Sequence, residues 1–191
     1  KKNPNTILHD KELTISEMLQ KVGYATALIG KWHMAGDGEE PWDFVLPPDP
    51  PGRPGGKGPF NENLMPNAQG FSYFFGTPMH NGFTKDVDLR RFVVELMRNG
   101  EVVESPADLD KLTKVYTHEA VNFIRDNKDR PFFILLSHNM PHVPLAVSDD
   151  FRGKSSRGLY GDAIEEIDWS VGQVVSELDS LNLLQDTLIV F

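Results

Sequence analysis

Three short apolar runs, each preceded by a segment with helical periodicity, constrain the fold of this chain more than any other feature. The runs are Tyr24–Ile29, Phe132–Ser137 and Thr187–Phe191. Continuous rather than alternating apolar residues are typical of strands that are buried on both faces, as in parallel sheets. Helices that alternate with such strands indicate an α/β fold. We therefore expect a mostly parallel sheet sandwiched by helices.

The three expected helices begin and end at recognisable signals. Thr14-Ile15-Ser16-Glu17 has the pattern of a capping box, and Gly23 ends the helix that follows it. The second helix is expected from about Ala107 to Asn127 and the third from about Gly161 to Leu181. The spacing of apolar residues predicts one apolar face on each helix. The face of the first helix comprises Ile15, Met18, Leu19 and Val22. That of the second comprises Leu112, Val115, Tyr116, Ala120, Phe123 and Ile124, and that of the third comprises Ile164, Ile167, Val171, Val174, Val175 and Leu178.

The acidic residues of the third helix divide into two groups. Asp162, Glu165 and Glu166 are expected on its solvated face. Asp168 falls on the expected apolar face, and a buried carboxylate needs hydrogen-bond partners. We therefore predict a structural role for Asp168.

Two stretches interrupt the alternation of helix and strand. Eight of the fourteen prolines lie between Pro41 and Pro66, which excludes regular structure there. Residues 37–70 are expected to form an ordered loop at the rim of a pocket. The Asn99-Gly100 dipeptide predicts a β-hairpin near residues 92–104.

Charge and composition exclude several functions. The net charge of −9 argues against nucleic acid, which requires basic surfaces. The chain contains no cysteine, so it has no disulfide, thiolate metal site or cysteine nucleophile. The longest apolar run, Phe132 to Leu136, is much shorter than the ~20 residues of a membrane-spanning helix.

Gly30-Lys31-Trp32-His33 directly follows the first apolar run. The carboxyl ends of strands are where open α/β sheets bind ligands. Lysine supplies a positive charge there, and histidine carries a proton near neutral pH. The pair suits chemistry on an anion. Position alone leaves the alternative open, namely a surface lysine and a histidine that hydrogen-bonds the strand end.

His138 and His142 follow the second apolar run and lie four residues apart. This spacing would suit a metal pair on a helix, but Pro141 and Pro144 exclude a helix here. We therefore do not expect a chelate. A buried, hydrogen-bonded strand end is the simpler interpretation of His138. His142 also follows the carboxyl end of this strand.

Three segments resemble type I sulfatases, the arylsulfatase-like enzymes that depend on formylglycine. Gly23–His33 is similar to the second signature of this family, Pro131–Pro144 to its later strand and histidine loop, and Tyr160–Phe191 to a third segment in the same order. The resemblance implies an alkaline-phosphatase-like fold, incomplete in this chain. It also implies that residues 1–191 are an internal part of a single sulfatase catalytic domain.

The resemblance assigns roles to four residues. It implies that Lys31, His33 and His142 are catalytic, with Lys31 and His142 also binding the sulfate. Lys31 would contact the sulfate and the aldehyde hydrate, His33 would act as the base of that hydrate, and His142 would lie near the leaving oxygen. His80 is expected to line the substrate pocket.

Two further groups are implied by the resemblance, Ca²⁺ and a formylglycine formed within a Cys/Ser-x-Pro/Ala-x-Arg motif. The sequence contains no such motif, and we predict no metal ligands in it. We therefore expect the nucleophile and the metal ligands to lie outside this chain, which would hold the cationic half of the site and be inactive alone.

The expected function is hydrolysis of a small-molecule or carbohydrate sulfate ester. One alternative is a phosphonate or phosphate monoester hydrolase of the same superfamily, and another is a degenerate, non-catalytic sulfatase-like binding domain. The resemblance implies a periplasmic, secreted or lysosomal protein. No feature of the sequence indicates an oligomeric state.

Overall fold

A computed structural model describes residues 8, 12–35, 62–79, 81 and 94–191. Within these residues, five strands form one sheet that is accompanied by three α-helices. The strands are β1 (Ala25–Gly30), β2 (Tyr73–Gly76), β3 (Leu96–Arg98), β4 (Glu101–Glu104) and β5 (Phe132–Ser137), and the helices are α1 (Ile15–Lys21), α2 (Leu112–Asp126) and α3 (Gly158–Ser180).

The sheet has the order β4-β3-β2-β1-β5, and its central strands are parallel. β1 pairs in parallel with β2 on one side and with β5 on the other, from Ala25 opposite Phe132 to Gly30 opposite Ser137. β3 and β4 form an antiparallel hairpin beyond β2. The α/β fold with a mostly parallel sheet is thereby confirmed. The carboxyl ends of β1, β2 and β5 lie at the same edge of the sheet.

Both faces of β1 are buried, which explains its continuous apolar sequence. Ala27 and Ile29 belong to the core formed with α2, and α3 packs on α2. Leu28 belongs to a second core, formed with Phe74 and Met65. α1 and residues 62–71 lie on this second side of the sheet.

α1 has the predicted capping box, but its predicted apolar face is wrong. The Thr14 hydroxyl accepts the N–H of Glu17, and the Glu17 carboxylate accepts the N–H of Thr14. Ile15 and Met18 are exposed, whereas Ser16 is buried and donates to the carbonyl of Gln69 at 2.6 Å. This short helix is held by hydrogen bonds from Thr14 and Ser16 to the carbonyl of Gln69 rather than by an apolar face.

α2 confirms the second predicted helix, and its predicted apolar side packs on the sheet. α3 confirms the third predicted helix, but its buried face differs from the prediction. Ile164 and Asp168 are exposed, whereas Asp162 and Glu166 are buried, with 2% and 1% of their surface exposed.

Backbone donors explain how α3 buries these two carboxylates. Asp162 accepts the N–H groups of Gly153 and Ser155, at 2.8 and 2.7 Å, and these bonds lower the pKa of its carboxyl group. Glu166 accepts the N–H of Ser148 at 3.2 Å. The loop between β5 and α3 therefore covers this side of the helix.

The third predicted strand, Thr187–Phe191, is wrong. These residues form no strand and follow a 3₁₀ turn at Leu184–Asp186. Leu188 and Phe191 are exposed, the latter at 99%. An apolar run forms a strand only when a neighbouring strand accepts its hydrogen bonds, and these five residues have no such neighbour among the described ones.

The β3–β4 hairpin turns at Asn99 and Gly100, whose φ angles of 47° and 90° suit a type I′ turn. Asn99 also accepts the N–H of Phe74 at 2.8 Å, which attaches the turn to β2. In the proline-rich segment, residues 36–61 lie outside the described ones. Its end is more regular than predicted, because Glu62–Leu64 and Pro66–Ala68 form 3₁₀ turns.

Candidate active site

The candidate site lies at the carboxyl edge of β1, β2 and β5, where the strand ends approach closely. Gly30 has a φ of +116°, and a Cβ atom on it would lie 1.9 Å from the carbonyl oxygen of Ser137. On the other side, a Cβ atom on Gly76 would lie 1.8 Å from the carbonyl oxygen of Gly30. Only glycine fits at either position, so the loops after the three strands leave the sheet side by side.

Lys31, Trp32 and His33 are fixed by their backbone to both neighbouring loops. Each N–H group donates to a carbonyl beyond or at the end of another strand. The bonds run from Lys31 to Ser137 (2.7 Å), from Trp32 to Thr77 (3.0 Å) and from His33 to Pro78 (2.9 Å). The position of this segment therefore depends on β2 and β5 together.

His33 has a left-handed backbone, with a φ of 67°. This region costs a residue with a side chain on the order of 1 kcal/mol, and such strain occurs mostly at functional sites. Here the bond from His33 to Pro78 holds the residue in that conformation.

The charges of Lys31 and His142 act on His33. The pKa of His33 is lowered chiefly by burial of its ring, and further by the positive charges of Lys31 and of His142. Burial also lowers the pKa of Lys31. Lys31 and His142 are therefore each within electrostatic range of His33, and His33 is mostly neutral at pH 7.

His142 lies in the loop after β5. Its N–H donates to the carbonyl of Asn139 at 3.1 Å, and its Nδ1 contacts the carbonyl of Val143. That contact places a proton on Nδ1, because a carbonyl oxygen can only accept a hydrogen bond. His80, the fourth predicted site residue, lies outside the described residues.

His138 occupies a different environment from His142. Its Nε2 lies 3.1 Å from the hydroxyl of Ser170 on α3, and its ring lies beside Tyr116 on α2. Burial lowers its pKa to about 4. His138 is thus a neutral histidine packed between the sheet and the helices, as its structural interpretation predicted.

The sequence analysis missed three buried polar residues beneath these loops, Thr77, Asn81 and Asn139. Each follows the end of β2 or β5 within five residues. Their signal in the sequence was a polar side chain shortly after a strand, which is weak because such residues are frequent in exposed turns.

The described residues include no group of three or more His, Cys, Asp or Glu side chains that could hold a metal ion. They therefore do not fit a metal site by themselves. No helix in the described parts of the chain is both long enough and apolar enough to cross a membrane.

A mostly parallel sheet with cationic side chains on the loops at its carboxyl edge defines an α/β protein that is suited to binding an anion. A family model described as Sulfatase matches residues 1–191. The chain belongs to the sulfatase family.

Curated relatives agree with this assignment. The chain is 31% identical to steryl-sulfatase from Homo sapiens, in an alignment that covers 94% of this chain and 39% of that protein. It is 32% identical to N-acetylgalactosamine-6-sulfatase from Canis lupus familiaris, over 95% of this chain and 32% of that protein. The chain thus spans less than two fifths of the length of these relatives.

Solved structures show the same fold. A sulfatase from Pseudoalteromonas sp. superposes with a TM-score of 0.71 at 25% identity, covering 93% of this chain and 36% of that one. A Bacteroides thetaiotaomicron protein described in the context of glycosaminoglycan metabolism superposes with a TM-score of 0.68 at 26% identity, covering 93% and 44%. The fold is therefore the alkaline-phosphatase-like fold of sulfatases, of which this chain forms a part.

Proposed function

We propose that residues 1–191 supply the cationic part of an active site that hydrolyses a sulfate ester. The observation that carries this proposal is the position of residues 31–33, whose N–H groups donate to carbonyls at the end of β5 and in the loop after β2. At this position, burial of the ring and then the charges of Lys31 and His142 lower the pKa of His33. Two cationic groups that act on one neutral histidine, at the carboxyl edge of the sheet, suit an anionic substrate.

Each of the three side chains has a distinct role in the proposal. The half-buried ammonium group of Lys31 stabilises negative charge on the sulfuryl oxygens, and its burial strengthens this interaction. His142 binds the sulfate near the leaving oxygen. His33, which is neutral at pH 7, accepts a proton from the group that attacks sulfur.

Members of this family use a metal and a formylglycine. We propose Ca²⁺ as the metal, with its ligands and the formylglycine provided by residues outside this chain. When present, these groups would supply the nucleophile and further positive charge for the sulfate. The contribution of residues 1–191 is to bind and orient the anion and to hold the proton of the nucleophile at His33.

The proposed substrate is a small-molecule or carbohydrate sulfate ester. Relatives of this chain carry the names steryl-sulfatase, arylsulfatase and N-acetylgalactosamine-6-sulfatase. His80 is proposed as a further substrate contact, on the basis of its position shortly after β2. No observation on the described residues favours a phosphate or phosphonate ester over a sulfate ester.

The proposal is tested with the full-length product of the gene, assayed on p-nitrophenyl sulfate and p-nitrophenyl phosphate. We expect a higher kcat/KM for the sulfate ester. Lys31→Met should lower kcat by about 10²–10³-fold, the usual effect of removing one group that stabilises transition-state charge. Lys21→Met, at an exposed lysine of α1, is the matched control and should retain activity.

A Lys31→Met variant with the kcat of the wild type, or a higher kcat/KM for the phosphate ester, would contradict the proposal.

A further inference from the structure

Asn81 lies in the loop after β2, and its side chain binds the backbone of the loop that carries His142. It is 2% exposed, and its side-chain amide donates to the carbonyls of His142 at 2.8 Å and of Pro144 at 3.2 Å. These two carbonyls lie on either side of Val143, so one side chain holds the backbone that carries the His142 imidazole.

Asn139 fixes the orientation of Asn81. Its amide donates to the side-chain oxygen of Asn81 at 2.8 Å and to the hydroxyl of Thr77 at 2.9 Å. Its own oxygen accepts the hydroxyl of Tyr116 at 2.9 Å. The Asn81 side chain therefore has both its donors and its acceptor engaged.

The same network reaches the segment that carries Lys31 and His33. Thr77 and Pro78 precede Asn81 in the loop after β2, and their carbonyls accept the N–H groups of Trp32 and His33. The polar cluster of Thr77, Asn81, Asn139 and Tyr116 thus joins all three loops of the candidate site beneath the functional side chains.

We infer that Asn81, oriented by Asn139, is a positioning residue that sets the place of His142 relative to Lys31 and His33. This inference rests on the proposed function. The side chain at position 81 must donate two hydrogen bonds at one end and accept one at the other. Among side chains of this size, only asparagine can do so. Aspartate has the same shape, but it would place an oxygen against the carbonyls of His142 and Pro144.

The test compares Asn81→Asp with Asn127→Asp in the full-length gene product. Asn127 is the matched control because it is also a buried asparagine, at 5% exposed, whose amide donates to a backbone carbonyl. That bond lies at the carboxyl end of α2, and it involves no residue of the three loops of the candidate site. Asn81→Ser is the second variant, should Asn81→Asp fail to fold.

Two readouts separate positioning from a loss of folded protein. One is the Ki of inorganic sulfate, and the other is the dependence of kcat/KM on the leaving group, measured with aryl sulfates of different phenol pKa. A smaller folded fraction lowers kcat/KM equally for all substrates and leaves Ki unchanged. A displaced His142 lowers kcat/KM most for the poorest leaving groups.

We expect Asn81→Asp to lower kcat/KM for the poorest leaving group by about 10²-fold, the size of effect that a displacement near 1 Å produces. The loss should be clearly smaller for the best leaving group, and the Ki of sulfate should rise. Asn81→Ser should show the same trend, and Asn127→Asp should change neither readout.

An equal loss for all substrates with an unchanged Ki, in both Asn81 variants, would overturn the inference and leave the proposed function standing. Absence of sulfate ester hydrolysis by the wild-type protein would overturn the proposed function, and the positioning role would fall with it. The two failures are distinguishable because only the first requires an active wild-type enzyme.

Discussion

Lys31 and His33 follow the carboxyl end of β1 and are separated only by Trp32. Because the two side chains are close, the positive charge of Lys31 lowers the pKa of His33. Burial of the ring acts in the same direction and is the larger effect. Both effects favour the neutral imidazole, so this arrangement keeps a base next to a fixed positive charge.

The first prediction concerns the pH dependence that follows from this relationship. Because burial and the neighbouring positive charges hold the pKa of His33 below its ordinary value of 6.5, the neutral form of His33 still predominates at pH 6.5. The acidic limb of kcat/KM, if His33 is the base, should therefore lie below pH 6.5. An acidic limb above pH 6.5 would argue against His33 as the base.

The second prediction isolates the contribution of the lysine charge. Lys31→Met removes a positive charge and should raise the pKa of His33, followed by NMR titration of its ring. The pKa should remain below the ordinary value, because the ring stays buried and His142 still acts on it. Lys21→Met serves as the control, and an unchanged His33 pKa in Lys31→Met would contradict the electrostatic account.

The third prediction concerns the two glycines at the edge of the sheet. Gly30→Ala and Gly76→Ala should each lower the free energy of unfolding by about 3 kcal/mol or more, because each would place a Cβ atom against backbone. Gly172→Ala, in open space on α3, should instead raise it by about 0.5–1 kcal/mol. Denaturant unfolding measures all three, and a tolerated alanine at Gly30 or Gly76 would refute the close packing of the strand ends.

The fourth prediction concerns stability in acid. His138 has a pKa of about 4 in the folded chain and 6.5 ordinarily, a difference worth about 3 kcal/mol. Its contribution to stability is complete above pH 6.5 and is lost as the pH falls from 6.5 to 4, because the unfolded chain takes up a proton first. His138→Gln cannot gain a proton, so its unfolding free energy should fall less between pH 7 and pH 4 than that of the wild type. Parallel pH profiles of the two proteins would contradict the burial of a neutral His138.

The elements of this fold that sequence patterns predicted are those with strong local signals. β1 and β5 have continuous apolar runs, α2 has helical periodicity and α1 begins with a capping box, and the structure contains all four elements. Local rules suffice for β1, β5 and α2 because the same residues that favour the element also form its core, and for the start of α1 because its capping bonds are local.

The errors arise where tertiary partners override the apolar pattern. Helical periodicity places Asp162, Glu166 and Ser170 on one face as readily as it does Ile164 and Asp168. The polar face is buried because backbone N–H groups of the loop at 147–155 satisfy its carboxylates. The course of that irregular loop is not encoded in any periodicity.

The candidate site shows the same division. Lys31, His33 and His142 were predicted because they follow strands in segments that resemble sulfatases. Asn81 and Asn139 were missed because their importance depends on hydrogen bonds across about sixty residues of sequence, between loops that meet only in the folded chain.

The central claim is that one sulfate-sized anion contacts cationic groups from two separate loops. A crystal structure of the full-length gene product soaked with inorganic sulfate tests it most directly. The account predicts one sulfate within hydrogen-bonding distance of both the Lys31 ammonium group and the His142 ring, with His33 beside it. A structure in which Lys31 and His142 are too far apart to contact the same ion would contradict it.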